Sequence, residues 1–289
     1  MNYIFHILIF LGIYSILIQS LNITMGYTGL ISLCQAAFYG IGAYITALLL
    51  LKLELNFFIA LPIAVITTVI LSFIVSIPSL RLRGDYFILA TLGFQIIIFN
   101  LMYNWISLTR GPYGIPGIPS PEIFGIKFDN PPKFFILSTA IALLTLYFFH
   151  LITSIKFGKI LKAIREDEIA ISTFGKNITK FKITAFSIGA GIASIAGALF
   201  ATYVTYIDPT SFTLNESILL VSILTIGGGG NMKGPLVGTA VLILLPEILR
   251  FLAIPDSIAA NVRMMLYALA LIFILIYKPQ GIAGEYEPK

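Results

Sequence analysis

The sequence is short of cysteine, histidine and charge, and each shortage removes a class of function. Cys34 is the only cysteine among 289 residues, so neither an internal disulfide nor a thiolate metal cluster is available. His6 and His150 stand far apart without acidic or cysteine partners at ligand spacing, so no metal site is expected. Charged residues make up 11% of the chain against 58% hydrophobic, a balance that no soluble globular domain has. The acids fall at the margins of apolar runs. Glu54, Asp85, Asp208 and Asp256 sit at or beyond run ends, Glu166, Asp167 and Glu168 share a hydrophilic loop, and Glu216 and Glu247 lie near the ends of one long segment. Carriers driven by protons or sodium usually hold carboxylates or histidines inside their spans. Here the polar groups inside are neutral: Gln35, Thr91, Gln95, Asn100 and Asn231.

Catalytic groupings are missing as well. The stretch from Gly227 to Gly234 contains Lys233 but lacks the glycine directly before it and the Ser or Thr after it that a phosphate loop needs. No nucleophile stands beside a base. The chain is therefore expected not to be an enzyme itself and to use no cofactor. Its net charge of +5 lies at membrane edges and is no nucleic-acid signature.

What the chain has is apolar length, with a mean hydropathy of +0.98. About 20 apolar residues cross a hydrocarbon core roughly 30 Å thick. Unbroken candidates run over Tyr3–Asn22, Phe57–Pro78, Tyr86–Ser107, Phe134–Ser154, Ile183–Ile207 and Asn261–Lys278. The expected fold is all-α, a polytopic transmembrane helical bundle forming one domain over 1–289, with a cytoplasmic loop at 155–182. The first span has no Lys or Arg before it and no small-residue cleavage site after it, so it reads as a retained helix.

Two further apolar segments are interrupted by glycine: Ile23–Leu51 at Gly26-Tyr-Thr-Gly29, and Glu216–Ala253 at Gly227-Gly-Gly-Gly-Asn231. An unwound helix in hydrocarbon strands backbone polar groups at several kcal/mol each, on the order set by transfer from water, unless it lines a polar cavity or is buried in protein. A pair of such segments in matching places points to a transport path. The residues expected to line or hinge it are Gly26, Thr28, Gly29, Gln35, Gly228, Gly229, Gly230 and Asn231. Close helix packing is the competing reading of the same glycines, and it is the preferred reading for the stripe Gly189, Ala193, Gly197 and Ala201.

Orientation follows from the basic residues Lys156, Lys159, Lys162, Arg165, Lys176, Lys180 and Lys182, the densest cluster in the chain, which belongs in the cytoplasm. Arg81 and Arg83 then fall inside, and the loop Leu108–Lys133 outside. If Ile23–Leu51 dips and returns, both halves read as helix out, broken segment, helix in, with Ile183–Ile207 opening the second half. If it crosses fully, the N-terminus moves outside.

The segment from Phe157 to Gly175 reads as one amphipathic helix, with Ile160, Ile164, Ile171 and Phe174 on a stripe and Gly175 as its C-terminal cap. It suits a lipid surface or a groove on a soluble protein. Glu168-x-Ala170-x-x-x-x-Gly175 resembles the coupling motif of ABC-importer permeases, and the run from Arg165 to Ile178 resembles the loop of the branched-chain amino-acid permeases. Gly26–Tyr44, Arg81–Gly93, Gly227–Gly238 and Lys278-Pro-Gln-Gly-Ile-Ala-Gly284 are similar to further signatures of that family, most of all its M-type subunit. Gln35 stands where the family often has histidine, Ile171 replaces the second alanine of the coupling pair, and Arg110 and Tyr113 depart from the usual outer loop.

The resemblance implies one subunit of a bacterial inner-membrane importer for branched-chain or related hydrophobic amino acids. Its implied partners are a homologous second permease subunit, two ATP-binding subunits, a periplasmic solute-binding protein and the lipid bilayer. Arg165, Glu168, Ala170 and Gly175 would make the coupling contact. A related permease for urea or another small solute, and a stand-alone secondary transporter or channel, are the alternatives.

Overall fold

The protein is described by a computed structural model that covers residues 2–250 except Arg83 and Phe124, with 245–250 as backbone only, and Val262, Met265, Leu269, Ile272, 276–278 and 280–284. The expected span Asn261–Lys278 and the end of the second broken segment at Ala253 lie largely outside the described residues.

Long apolar runs become helices because hydrocarbon offers backbone groups no partner except the chain itself. Helix α1 (Asn2–Leu21) widens into a π-helical turn over Asn22–Gly26, and α2 (Gln35–Lys52), α3 (Phe57–Ser79) and α4 (Asp85–Asn104) follow. The next loop is ordered, with a short α5 (Ile106–Thr109) and strands β1 (Ile115–Pro116), β2 (Glu122–Ile123) and β3 (Ile126–Lys127). Then come α6 (Pro131–Ser154), α7 (Lys156–Glu166), α8 (Glu168–Thr173), α9 (Ile178–Val204), β4 (Tyr206–Ile207), α10 (Leu214–Gly227) and α11 (Lys233–Arg250). Among the described residues, 6 helices are long and apolar enough to cross a membrane.

Helix α9 is the post around which α1, α2 and α3 pack, and its small-residue stripe makes that possible. Gly189, Ala193, Gly197 and Ala201 are all buried. A Cβ on Gly197 would lie 2.1 Å from Tyr39 O, and one on Gly42 would lie 2.4 Å from Ser194 Cα. Lipid gives apolar helices no hydrophobic reason to associate, so backbone approach and dispersion hold them together.

The two ends of the bundle are distinct. At one end α7 and α8 lie against the start of α9. At the other, β1 pairs antiparallel with β4 and places Ile115 opposite Ile207. His6 Nδ1 lies 2.7 Å from the Tyr203 hydroxyl near the end of α9, so α1 begins at the β1–β4 end. The first break lies at the α7 end. Of the two paths open to Ile23–Leu51, the chain therefore takes the full crossing, and its N-terminus lies opposite α7.

This shifts the repeat by one helix. The helix entering each break is α1 in the first half and α10 in the second, and the helices leaving are α2 and α11. Helix α9 is not the counterpart of α1. Hydropathy missed this because α10 has only 14 residues, too few to stand out as a span.

Candidate functional site

The two breaks meet. The helical run of α1 and its π-helical turn stops at Gly29, which takes a left-handed φ of 74°. Its N–H donates to Met25 O, and that of Leu30 donates to Thr24 O. Helix α10 ends in the same manner at Gly228, with φ 91° and its N–H on Leu224 O. Glycine serves at both positions because a Cβ disfavours that conformation. Where the segments cross, a Cβ on Gly26 would lie 2.6 Å from Gly230 N, and one on Gly229 would lie 2.9 Å from Gly26 Cα.

Asn22, in the π-helical turn, joins the two. Its Oδ1 accepts from Gly230 N at 3.0 Å and its Nδ2 donates to Asn231 O at 2.7 Å. Gln19 adds a bond from Nε2 to Met232 O at 2.8 Å. Asn231 in turn accepts from Gly234 N in the first turn of α11 and donates to Ala283 O. The C-terminal Gln-Gly-Ile-Ala-Gly stretch closes the far side, with Ile282 N on Ile226 O and Ala283 N on Gly227 O. Every group freed by unwinding that these bonds reach is thereby satisfied inside the protein.

Arg165, near the end of α7, reaches into this crossing. Its side chain is 8% exposed, Nη1 donates to Gly26 O at 2.5 Å, and its stem lies beside Gly29. A Cβ on Gly230 would fall 2.5 Å from Nη1, so one guanidinium touches both breaks. Beside it opens a cavity of about 890 Å³ bordered by Thr28, Ile31, Arg81, Asp85, Glu168 and Lys182.

The amphipathic segment is two helices instead of one. Asp167 adopts φ −154° and ψ 104°, and its carboxylate accepts from Ile169 N and Ala170 N. An aspartate N-cap stabilises a new helix by about 1 kcal/mol, and here it cuts the expected stripe in two. Helix α7 buries Leu161 and Ile164, whereas α8 leaves Ile169 78% and Phe174 77% exposed. Gly175 ends α8 with φ 71°, as its position suggested. The four expected coupling residues thus separate. Glu168, Ala170 and Gly175 are on the exposed side, with Glu168 paired to Lys182, while Arg165 points inward.

The expected path residues also divide. Gly26, Thr28, Gly29, Gly228, Gly229, Gly230 and Asn231 gather at or beside the crossing. Gln35 lies deeper, 1% exposed, donating to Ser20 Oγ at 2.6 Å. It is the first residue of α2, whose buried start is capped by neutral side chains from other elements. Ser217 Oγ accepts from Ala36 N, Gln95 Oε1 accepts from Ala37 N, and Thr91 Oγ1 accepts from Leu33 N. A helix start inside a membrane needs such caps from its neighbours.

One carboxylate is not peripheral, and sequence reasoning placed it wrongly. Glu216, in the first turn of α10, accepts a hydrogen bond at 2.6 Å from the Tyr14 hydroxyl. Tyr14 is at the middle of the first span, Tyr3–Gly26. Helix α10 starts deep because the chain after β4 turns inward, seating Phe212 against Gly40 and Tyr39. The shortness of α10 was the available signal.

Residues 3–275 match the model of a family described as the permease component of branched-chain amino acid transport systems. The chain belongs to that family. Among curated relatives, the high-affinity branched-chain amino acid transport system permease protein LivM of Salmonella typhimurium is 31% identical over 96% of this chain and 69% of its own length. The probable branched-chain amino acid permease LivM of Methanocaldococcus jannaschii is 27% identical over 96% of this chain and 92% of its own length. The autoinducer 2 import system permease protein LsrC of Salmonella typhi is more distant, 28% identical over 71% of this chain and 60% of its own length. No solved structure matches. Membership makes this chain a multi-pass transport subunit that works in a complex with other subunits.

Proposed function

We propose that this permease forms half of the translocation path of an ABC importer for branched-chain amino acids, in a bacterial inner membrane. The α7 end faces the cytoplasm, consistent with its basic cluster, and the β1–β4 end faces the binding protein. A homologous second permease forms the other half, and two ATP-binding subunits dock inside. The observation that carries this reading is the placement of Arg165. It sits one residue before the Glu166–Asp167 junction between α7 and the exposed α8, and its guanidinium holds the crossing of the two breaks.

The mechanism follows from that geometry. Ile169 on α8 and Phe174 just after it enter a groove on an ATP-binding subunit, as amphipathic helices do. When nucleotide draws those subunits together, α8 moves, and α7 is displaced with it through the single extended residue Asp167. Arg165 then shifts against Gly26 O and Gly230. The glycine ends at Gly29 and Gly228 are where the backbone can absorb the change. The cavity beside them gives the solute its inner exit.

The test is ATP-dependent leucine uptake into proteoliposomes holding the full complex. Replacing Ile169 and Phe174 together by aspartate is expected to lower uptake at least tenfold while the two permease subunits still copurify. Uptake by this chain without ATP-binding subunits, driven by an ion gradient, would replace the importer with a self-sufficient carrier.

A further inference from the structure

The surroundings of Glu216 carry a binding site that the coupling mechanism does not use. A carboxylate at mid-span depth is costly, and proteins keep one there where it meets a cation. Among the described residues, neither Arg, Lys nor His pairs with Glu216, and the Tyr14 hydroxyl is its one hydrogen-bond donor. Helix α10 begins at this level, so its N-terminal dipole favours the charged carboxylate. Solute sites in transporters lie near the midplane, where interrupted helices begin.

A second observation is independent of the carboxylate. Tyr39 is 2% exposed, and among the described residues its hydroxyl has no hydrogen-bond partner. Ala36, one helical turn before Tyr39, donates its N–H at 3.1 Å to the hydroxyl of Ser217, so α2 meets α10 at the residue next to Glu216. A buried hydroxyl left unpaired in a native protein calls for a ligand or another partner. The ring of Tyr39 stands 5.1 Å from that of Phe212 and 5.4 Å from that of Phe200, so acceptor oxygens and an apolar wall occur together.

We propose that Glu216 and the Tyr39 hydroxyl receive the ammonium group of a transported amino acid at mid-membrane, with Phe200 and Phe212 facing its aliphatic part. Tyr14 is a positioning residue that holds the carboxylate. The ammonium donates to the carboxylate oxygen that Tyr14 leaves open and to the Tyr39 oxygen, and the aromatic faces favour both a cation and an alkyl chain. This inference rests on the amino-acid import reading.

The experiment uses the complete transporter in nanodiscs, trapped with ATP by a hydrolysis-deficient ATP-binding subunit and freed of binding protein. Bound radiolabelled leucine is displaced by isoamylamine, which keeps the ammonium, or by isocaproate, which lacks it. Isoamylamine is expected to compete at least tenfold better than isocaproate. Glu216→Gln is expected to weaken leucine binding at least tenfold, and Tyr39→Phe about fivefold. Tyr39→Phe is the decisive variant, because removing an unpaired buried hydroxyl leaves folding neutral or improved, so a purely structural role moves nothing. Equal competition by the two analogues, wild-type affinity in Tyr39→Phe, or no leucine bound by a complex that imports leucine would each overturn the site alone. Failure of the wild-type complex to import any amino acid would overturn the import reading, and the site with it.

Discussion

The two breaks do the same job by opposite means. In the first, side chains line the crossing. Asn22 and Gln19 reach across to the second break, and Arg165 takes Gly26 O. In the second, which takes those bonds at Gly230 N, Asn231 O and Met232 O, the glycines themselves lie backbone on backbone. Gly227 touches Gly234 and Gly238, and Gly228 touches Gly281 and Gly284. A break lined by flexible side chains can yield, whereas one built from backbone contacts has nothing to give. The first is thus suited to movement and the second to being a fixed seat.

Substitutions can break or sharpen that contrast. Gly228→Ala should have the largest effect, since its Cβ would lie 2.4 Å from Gly284 Cα and its φ is already 91°. Loss of a monodisperse subunit in detergent is expected, and near-normal thermal stability would show that the second break also yields. Asn22→Ala should be intermediate. It leaves Gly230 N and Asn231 O without their partner, at about 1–3 kcal/mol for each buried orphan, and should lower the melting temperature while the subunit still folds. Gly29→Ala should be smallest. Its φ of 74° costs roughly 1–2 kcal/mol with a Cβ, but the nearest atom is Arg165 Cγ at 3.0 Å, on a side chain that can move. A Gly29→Ala effect as large as that of Gly228→Ala would erase the distinction.

Much of this was legible beforehand, for local reasons. Apolar length located the spans, because hydropathy is summed over neighbours in sequence. Gly175 ended α8, and the small stripe of α9 packed against α2, because each depends on one backbone geometry. The Asp167 cap was also local and was missed: the run Glu166-Asp167-Glu168 looked like a charged face when its middle residue was a helix start. Arg165 could not be separated from Glu168 or Ala170 by sequence, since a coupling motif says which residues occur together but not which side they face.

By itself the sequence determined a membrane bundle, two glycine interruptions and an amphipathic loop, because hydrophobicity, glycine freedom and helical period are properties of short stretches. Only the tertiary structure decided that the breaks cross each other, that α10 pairs with α1, and that Glu216 lies at mid-depth beside Tyr14. Depth and crossing depend on where a chain re-enters the bundle, and that is set by packing between residues some 200 positions apart, such as Tyr14 and Glu216, separated by 202.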